Sequence, residues 1–136
     1  MTKVNPTHAI PQVHETMIRV RYQETDAQGR VHHANFINYF EIGRVEMLRA
    51  SGVSYRQLEA SGIMLVVAHL ECDFFGPAEY DDLLRLKTTI LRARGARIHH
   101  QYEIFRDEEL IVRGKTVVAS VDREGNVVRL PRWLRS

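Results

Sequence analysis

YQETDAQGRVHHANF, residues 22–36, is the stretch on which the reading of this chain turns. It brings a carboxylate, a turn glycine, two histidines and a helix start close together. Asp26 lies in a polar turn closed by Gly29, Val31 leads into His32 and His33, and an apolar pattern of helical period begins at Asn35. The first N–H groups of a helix lack intrahelical partners and carry the positive end of the macrodipole. They can bind a developing oxyanion while a carboxylate works beside them. Such an arrangement suits attack on an acyl carbonyl.

The flanking sequence sets the fold class. Upstream, residues 17–23 alternate Ile18, Val20 and Tyr22 with Arg19, Arg21 and Gln23, the period of a half-buried strand. Residues 1–15 are polar, are interrupted by Pro6 and Pro11, and read as an extended arm ahead of a single domain at 16–136. Downstream, residues 35–50 place Phe36, Tyr39, Phe40, Gly43 and Met47 on one helical face, with Ile37, Ile42, Val45 and Leu48 on others. A helix apolar nearly all round should be wrapped by other structure. Ser51 and Gly52 end it, and residues 54–60 form a short second helix stopped by Gly62. Residues 63–75, 83–94, 97–106 and 109–122 are strand-like and are separated by turn residues. The closing RLPRWLRS is a basic tail folded back on the surface. These elements predict an α+β domain, a curved antiparallel sheet wrapped around one long central helix.

Composition narrows the classes. A chain of 136 residues with 44% hydrophobic content can bury one sizeable core. A formal charge of +2 gives no argument for nucleic-acid binding, and the basic pI means only that an anionic ligand is not repelled. Cys72 is the sole cysteine, which excludes an intrachain disulfide. The N-terminus lacks the apolar core of a signal peptide, and no apolar run approaches a membrane span. The expectation is a cytoplasmic protein that neither inserts into a membrane nor binds nucleic acid.

The residues in hand resemble the hotdog-fold acyl-CoA thioesterases, specifically the 4-hydroxybenzoyl-CoA thioesterase family and its YbgC-type branch. Tyr22, Asp26, Gly29, Val31, His33, Asn35 and Phe36 carry the first and most specific block. Glu41, Arg44 and the Glu46-Met47-Leu48 step follow in the helix, then Phe75, Pro77 and Ala78 with Asp82 and Leu84, and finally Arg129-Leu130-Pro131. Two positions depart from that branch: His32 and Phe36 stand where tyrosine is commoner. The resemblance implies a hotdog fold working as a homodimer or homotetramer, with the active site at the dimer interface and the CoA chain running along it. It also implies Asp26 as nucleophile or general base, Tyr22 and His33 completing the catalytic group, and no metal or organic cofactor.

Each candidate has a structural alternative. Asp26 in a TDAQG turn can simply cap that turn. His33 can satisfy local hydrogen bonds, or give its backbone N–H to the thioester oxygen and its side chain to Asp26 or water. Gly29, His32 and Phe36 are assigned to the substrate site, and Phe40 and Met64 could also line an acyl pocket. Adjacent histidines rarely point at one ion, and no zinc-type spacing accompanies them. Tyr22 can equally be core packing. Glu41 can support the site, although pairing with Arg44 or Arg49 is the simpler expectation. His69, His99 and His100 fit solvent exposure or an interface. Arg92, Arg94 and Arg97 flank a hairpin turn, either as a solvated face or as a site for the CoA phosphates.

The function expected is hydrolysis of an acyl-CoA thioester. A hotdog hydroxyacyl-thioester dehydratase is the rival among enzymes, and it normally draws its carboxylate from the helix. A non-catalytic binding protein partnering acyl carrier protein is the rival from another class.

Overall fold

The computed structural model describes residues 3–136. Strand β1 spans Val13–Arg19, helix α1 His33–Arg49 and helix α2 Tyr55–Ala60. Four strands follow: β2 (Met64–Phe74), β3 (Leu83–Arg94), β4 (Arg97–Arg106) and β5 (Glu109–Val121). All pair antiparallel in the order β1-β3-β4-β5-β2, so β1 and β2 form the edges. Register breaks in the β2–β5, β3–β4 and β4–β5 pairs add twist, and the curved sheet holds α1 against its inner face. This is the α+β architecture expected.

Two expected elements shift by more than one residue. The strand placed at 17–23 ends at Arg19 and begins at Val13, so the expected 1–15 arm runs into β1, and residues 1–2 lie outside the described range. After β1 the chain turns away, because Val20 exchanges backbone hydrogen bonds with Asp81 and Asp82 at 3.0 and 2.9 Å. The helix begins two residues early, at His33, because His32 caps it: its Nδ1 accepts the Ala34 N–H at 3.1 Å.

Two apolar clusters divide the interior. Phe36, Tyr39 and Phe40 of α1 pack with Leu84, Leu86, Tyr102 and Ile104 at the end nearer the 22–36 loop. Met47 and Leu48 pack with Ile90, Ala93, Ile98 and Val118 at the other end. The arm and tail close that second end: Thr7 and His8 donate to the Ser51 carbonyl, and Ser136 donates to Ala93. The tail is thus more than a surface segment, since Leu130 and Leu134 are buried.

Helix and sheet meet without a spacer at Gly114, where an added Cβ would collide with the Phe40 ring. That ring stacks on Tyr102 at 4.4 Å and cannot easily retreat. Gly114→Ala should therefore cost ~1–3 kcal/mol through overpacking. The check is a fall in the urea midpoint at constant slope and fixed protomer concentration.

Polar groups also enter the interior. The Tyr102 hydroxyl meets Thr116 Oγ1 at 2.6 Å and accepts from Arg44 at 3.4 Å. His100 is buried beside them with its Nδ1 unpartnered among the described residues. Burial, then the Arg44 and His99 charges, push its pKa down to about 3. Solvent exposure, one of the expected explanations, does not hold for this histidine; His69 is exposed. No helix among the described residues is long and apolar enough to cross a membrane.

Candidate active site

The 22–36 loop is tied at several points before it reaches the helix. Thr25 and Val31 form a bridge across its neck, and the Asp26 N–H donates to the Arg30 carbonyl at 2.8 Å. Within the turn, Asp26 Oδ1 accepts from the N–H groups of Gln28 at 2.9 Å and Arg30 at 3.4 Å. Gly29, at φ +77°, takes the left-handed conformation the turn needs. A further bond from Val31 N–H to the Ala78 carbonyl, 2.8 Å, ties the loop to the segment after β2.

That tie opens a groove of about 510 Å³ between the loop, the start of α1 and the end of β2. Asp26, Arg30, His33 and Phe36 line one side, and Phe74 and Phe75 line the other. Phe36 and Phe74 touch at 5.8 Å between ring centroids, and His33 approaches Phe74 edge-on at 6.5 Å. Asp26 caps the turn as the structural alternative expected, through Oδ1, whereas Oδ2 makes no hydrogen bond among the described residues. The helix start is more selective than expected. Ala34 N–H goes to His32 Nδ1 and Asn35 N–H to the His32 carbonyl, which leaves the His33 N–H without an acceptor among the described residues.

Asp26, His33 and Phe36 are thus brought together, and His32 adjoins them as the cap, stacked on His33 at 4.2 Å. Tyr22 is not: it lies in a 3₁₀ turn, 77% exposed, edge-on to Tyr80. Its expected core-facing position depended on a strand that ends before it. Phe40 is buried against Tyr102, and Met64 starts β2 away from the groove lining. Glu41 is exposed and lines a separate groove with Arg21 and Asn35. It makes no ion pair with Arg44 or Arg49 among the described residues; Arg49 pairs with Glu46 at 3.3 Å instead. Arg92, Arg94 and Arg97 are exposed around the β3–β4 turn, at the end of the sheet remote from Asp26 within one chain. No group of three or more His, Cys, Asp or Glu side chains converges as metal ligands among the described residues.

The sequence reading missed Glu24. It is 8% exposed, and its carboxylate accepts from the Tyr39 hydroxyl at 2.9 Å and the Arg21 N–H at 2.8 Å. The Arg21 guanidinium approaches its other oxygen at 3.2 Å. Burial first, and then the Glu24 hydrogen bond and charge, hold the Tyr39 phenol well above its ordinary pKa. The tyrosine is therefore a fixed donor.

A family model described as the thioesterase-like superfamily matches residues 20–136. The chain is 34% identical over 106 residues to the acyl-CoA thioester hydrolase YbgC of Escherichia coli, covering 77% of this chain and 79% of that one. It is 31% identical over 125 residues to the acyl-acyl carrier protein thioesterase ATL3 of Arabidopsis thaliana, covering 90% and 66%. Among solved structures it resembles the DHNA-CoA thioesterase of Staphylococcus aureus with a TM-score of 0.84 and 30% identity, over 88% of this chain and 82% of that one.

Proposed function

Because the chain belongs to the thioesterase-like superfamily, we propose that it hydrolyses acyl-CoA thioesters to a free acid and CoA. The observation that carries the reading is that Asp26 and His33 line one groove, and that among the described residues Asp26 Oδ2 and the His33 N–H make no hydrogen bond. The thioester carbonyl lies with its oxygen toward the His33 N–H, which stabilises the negative charge that develops there. Asp26 attacks the carbonyl carbon or takes a proton from the attacking water. If Asp26 attacks, the C–S bond breaks to leave an acyl–Asp26 anhydride that water then hydrolyses to the free acid, one proton of that water passing to the CoA sulfur. If it acts as base, the water oxygen adds to the carbon, the C–S bond breaks and the proton held by Asp26 passes to the sulfur. Phe36, Phe74 and Phe75 provide an apolar wall for the acyl group, aromatic or aliphatic. A panel of acyl-CoAs and acyl-acyl carrier protein, followed by release of free thiol, tests the reading; turnover of ~1–10³ s⁻¹ is expected on a CoA ester. Binding without turnover would leave the carrier-protein partner reading in its place. A cytoplasmic location accords with a CoA-ester substrate.

The working unit is a homodimer or a homotetramer. Helix α1 packs chiefly on β1 and β3, which leaves β2 largely uncovered and, among the described residues, its outer backbone edge unpaired. Val66 and Val67 on β2 are 44% and 49% exposed, and Ile42 on the helix is 39% exposed. A second copy continuing the sheet at β2 would cover this surface and remove an aggregation-prone edge. It would also offer Arg92, Arg94 and Arg97 a route to the CoA phosphates that one chain does not provide. Sedimentation at micromolar and nanomolar concentrations should show a dimer or larger species, with activity per protomer falling as it dissociates. A fully active monomer is the result that excludes a shared site.

A further inference from the structure

Glu24 fastens four points of the chain at once. Its side chain holds Tyr39 in the second turn of α1 and the Arg21 N–H at the loop entrance. Its carbonyl accepts the His32 N–H at 3.0 Å and the Asn35 side-chain amide at 2.8 Å. Asp26 follows two residues later, and His33 follows directly on His32. The carboxylate itself does not line the reaction groove; it lines the separate groove shared with Arg21, Asn35 and Glu41. Burying a carboxylate is costly unless hydrogen bonds compensate it, and both oxygens here are occupied. An apolar side chain could fill the same space but could not join the loop entrance to the second helical turn.

We propose that Glu24 and Tyr39 form a positioning pair that sets the placement of Asp26 against the His33 N–H. The inference rests on the thioesterase reading above. It assigns the pair no contact with substrate, so its influence must pass through Asp26 and should appear in kcat.

The test is a cycle of variants assayed with the acyl-CoA cleaved fastest in the panel, well below each melting midpoint. Tyr39→Phe removes one hydroxyl and should lower kcat about tenfold with KM nearly constant, as expected for a small misplacement of reacting groups. In the Asp26→Asn background the same substitution should change the residual rate less than about twofold, because residues acting as one unit are not additive. Glu24→Gln keeps an oxygen for Tyr39 and the Arg21 N–H, so it should retain most activity, whereas Glu24→Leu should match or exceed the Tyr39→Phe loss. Loss of folded protein would instead multiply through both backgrounds. That multiplication, an unchanged kcat in Tyr39→Phe, or equal damage from Gln and Leu overturns the positioning role. Full activity in Asp26→Asn alone overturns the thioesterase assignment of Asp26 and the pair's role with it.

Discussion

Asp26→Asn should lower turnover by ~10²–10⁴, the range for losing a positioned acid–base group. The substitution is well isolated. Asp26 Oδ1 holds the turn by accepting the Gln28 and Arg30 N–H groups, and the asparagine carbonyl oxygen can accept both. Gly29 remains free to take its positive φ. What disappears is the charge and basicity at Oδ2, the oxygen without a hydrogen bond among the described residues. Stability should stay within ~0.5 kcal/mol of the parent, as for surface changes that leave structural bonds intact. The checks are kcat on the best acyl-CoA and a melting curve on the same preparation. A variant that keeps more than about a third of its activity has lost no general base or nucleophile.

His33→Pro should be nearly as damaging, at ~10²–10³ in kcat for the loss of one oxyanion donor. The local geometry makes this an unusually clean deletion of a backbone N–H. His33 is the first helical residue, where proline is favoured and the missing N–H breaks no intrahelical bond. His32, at φ −62° and ψ 138°, already has the extended conformation that proline requires of its predecessor. The helix should therefore form as before. His33→Ala loses the same imidazole but keeps the N–H, so it should remain within about tenfold of the parent if the donor is the backbone. Comparable losses in the Ala and Pro variants, with melting unchanged, would transfer the role to the side chain.

Regular periods explain what the sequence revealed. In β4, and in β3 as far as Ile90, the alternation is clean, and the expected bounds of both match those observed. His100 could have been placed by the same rule, since it shares parity with Ile98, Tyr102 and Ile104, all buried. The start of β1 was harder because an edge strand open on one side, VHETM, carries little apolar pattern. Alternation then continued through Val20 and Tyr22 although the backbone had already turned away. At the helix start, histidine is not among the preferred capping residues, so the pattern pointed to Asn35. Glu24 and Tyr39 are fifteen positions apart, and only the folded loop makes them partners. The hairpin arginines illustrate the converse: a local cluster in sequence does not say which end of the sheet it occupies.

The spatial strand order also bears on how the chain folds. Strands β3, β4 and β5 are joined by two-residue turns and can pair as they emerge, with little loop-closure entropy to overcome. The outer strands must wait: β1 pairs only with β3, and β2 only with β5, across long stretches of intervening chain. Helix α1 and the Asp26 loop lie in sequence between those two late arrivals. Non-local pairing of this kind slows folding, and it implies that the meander condenses first while the groove beside Asp26 assembles at the end.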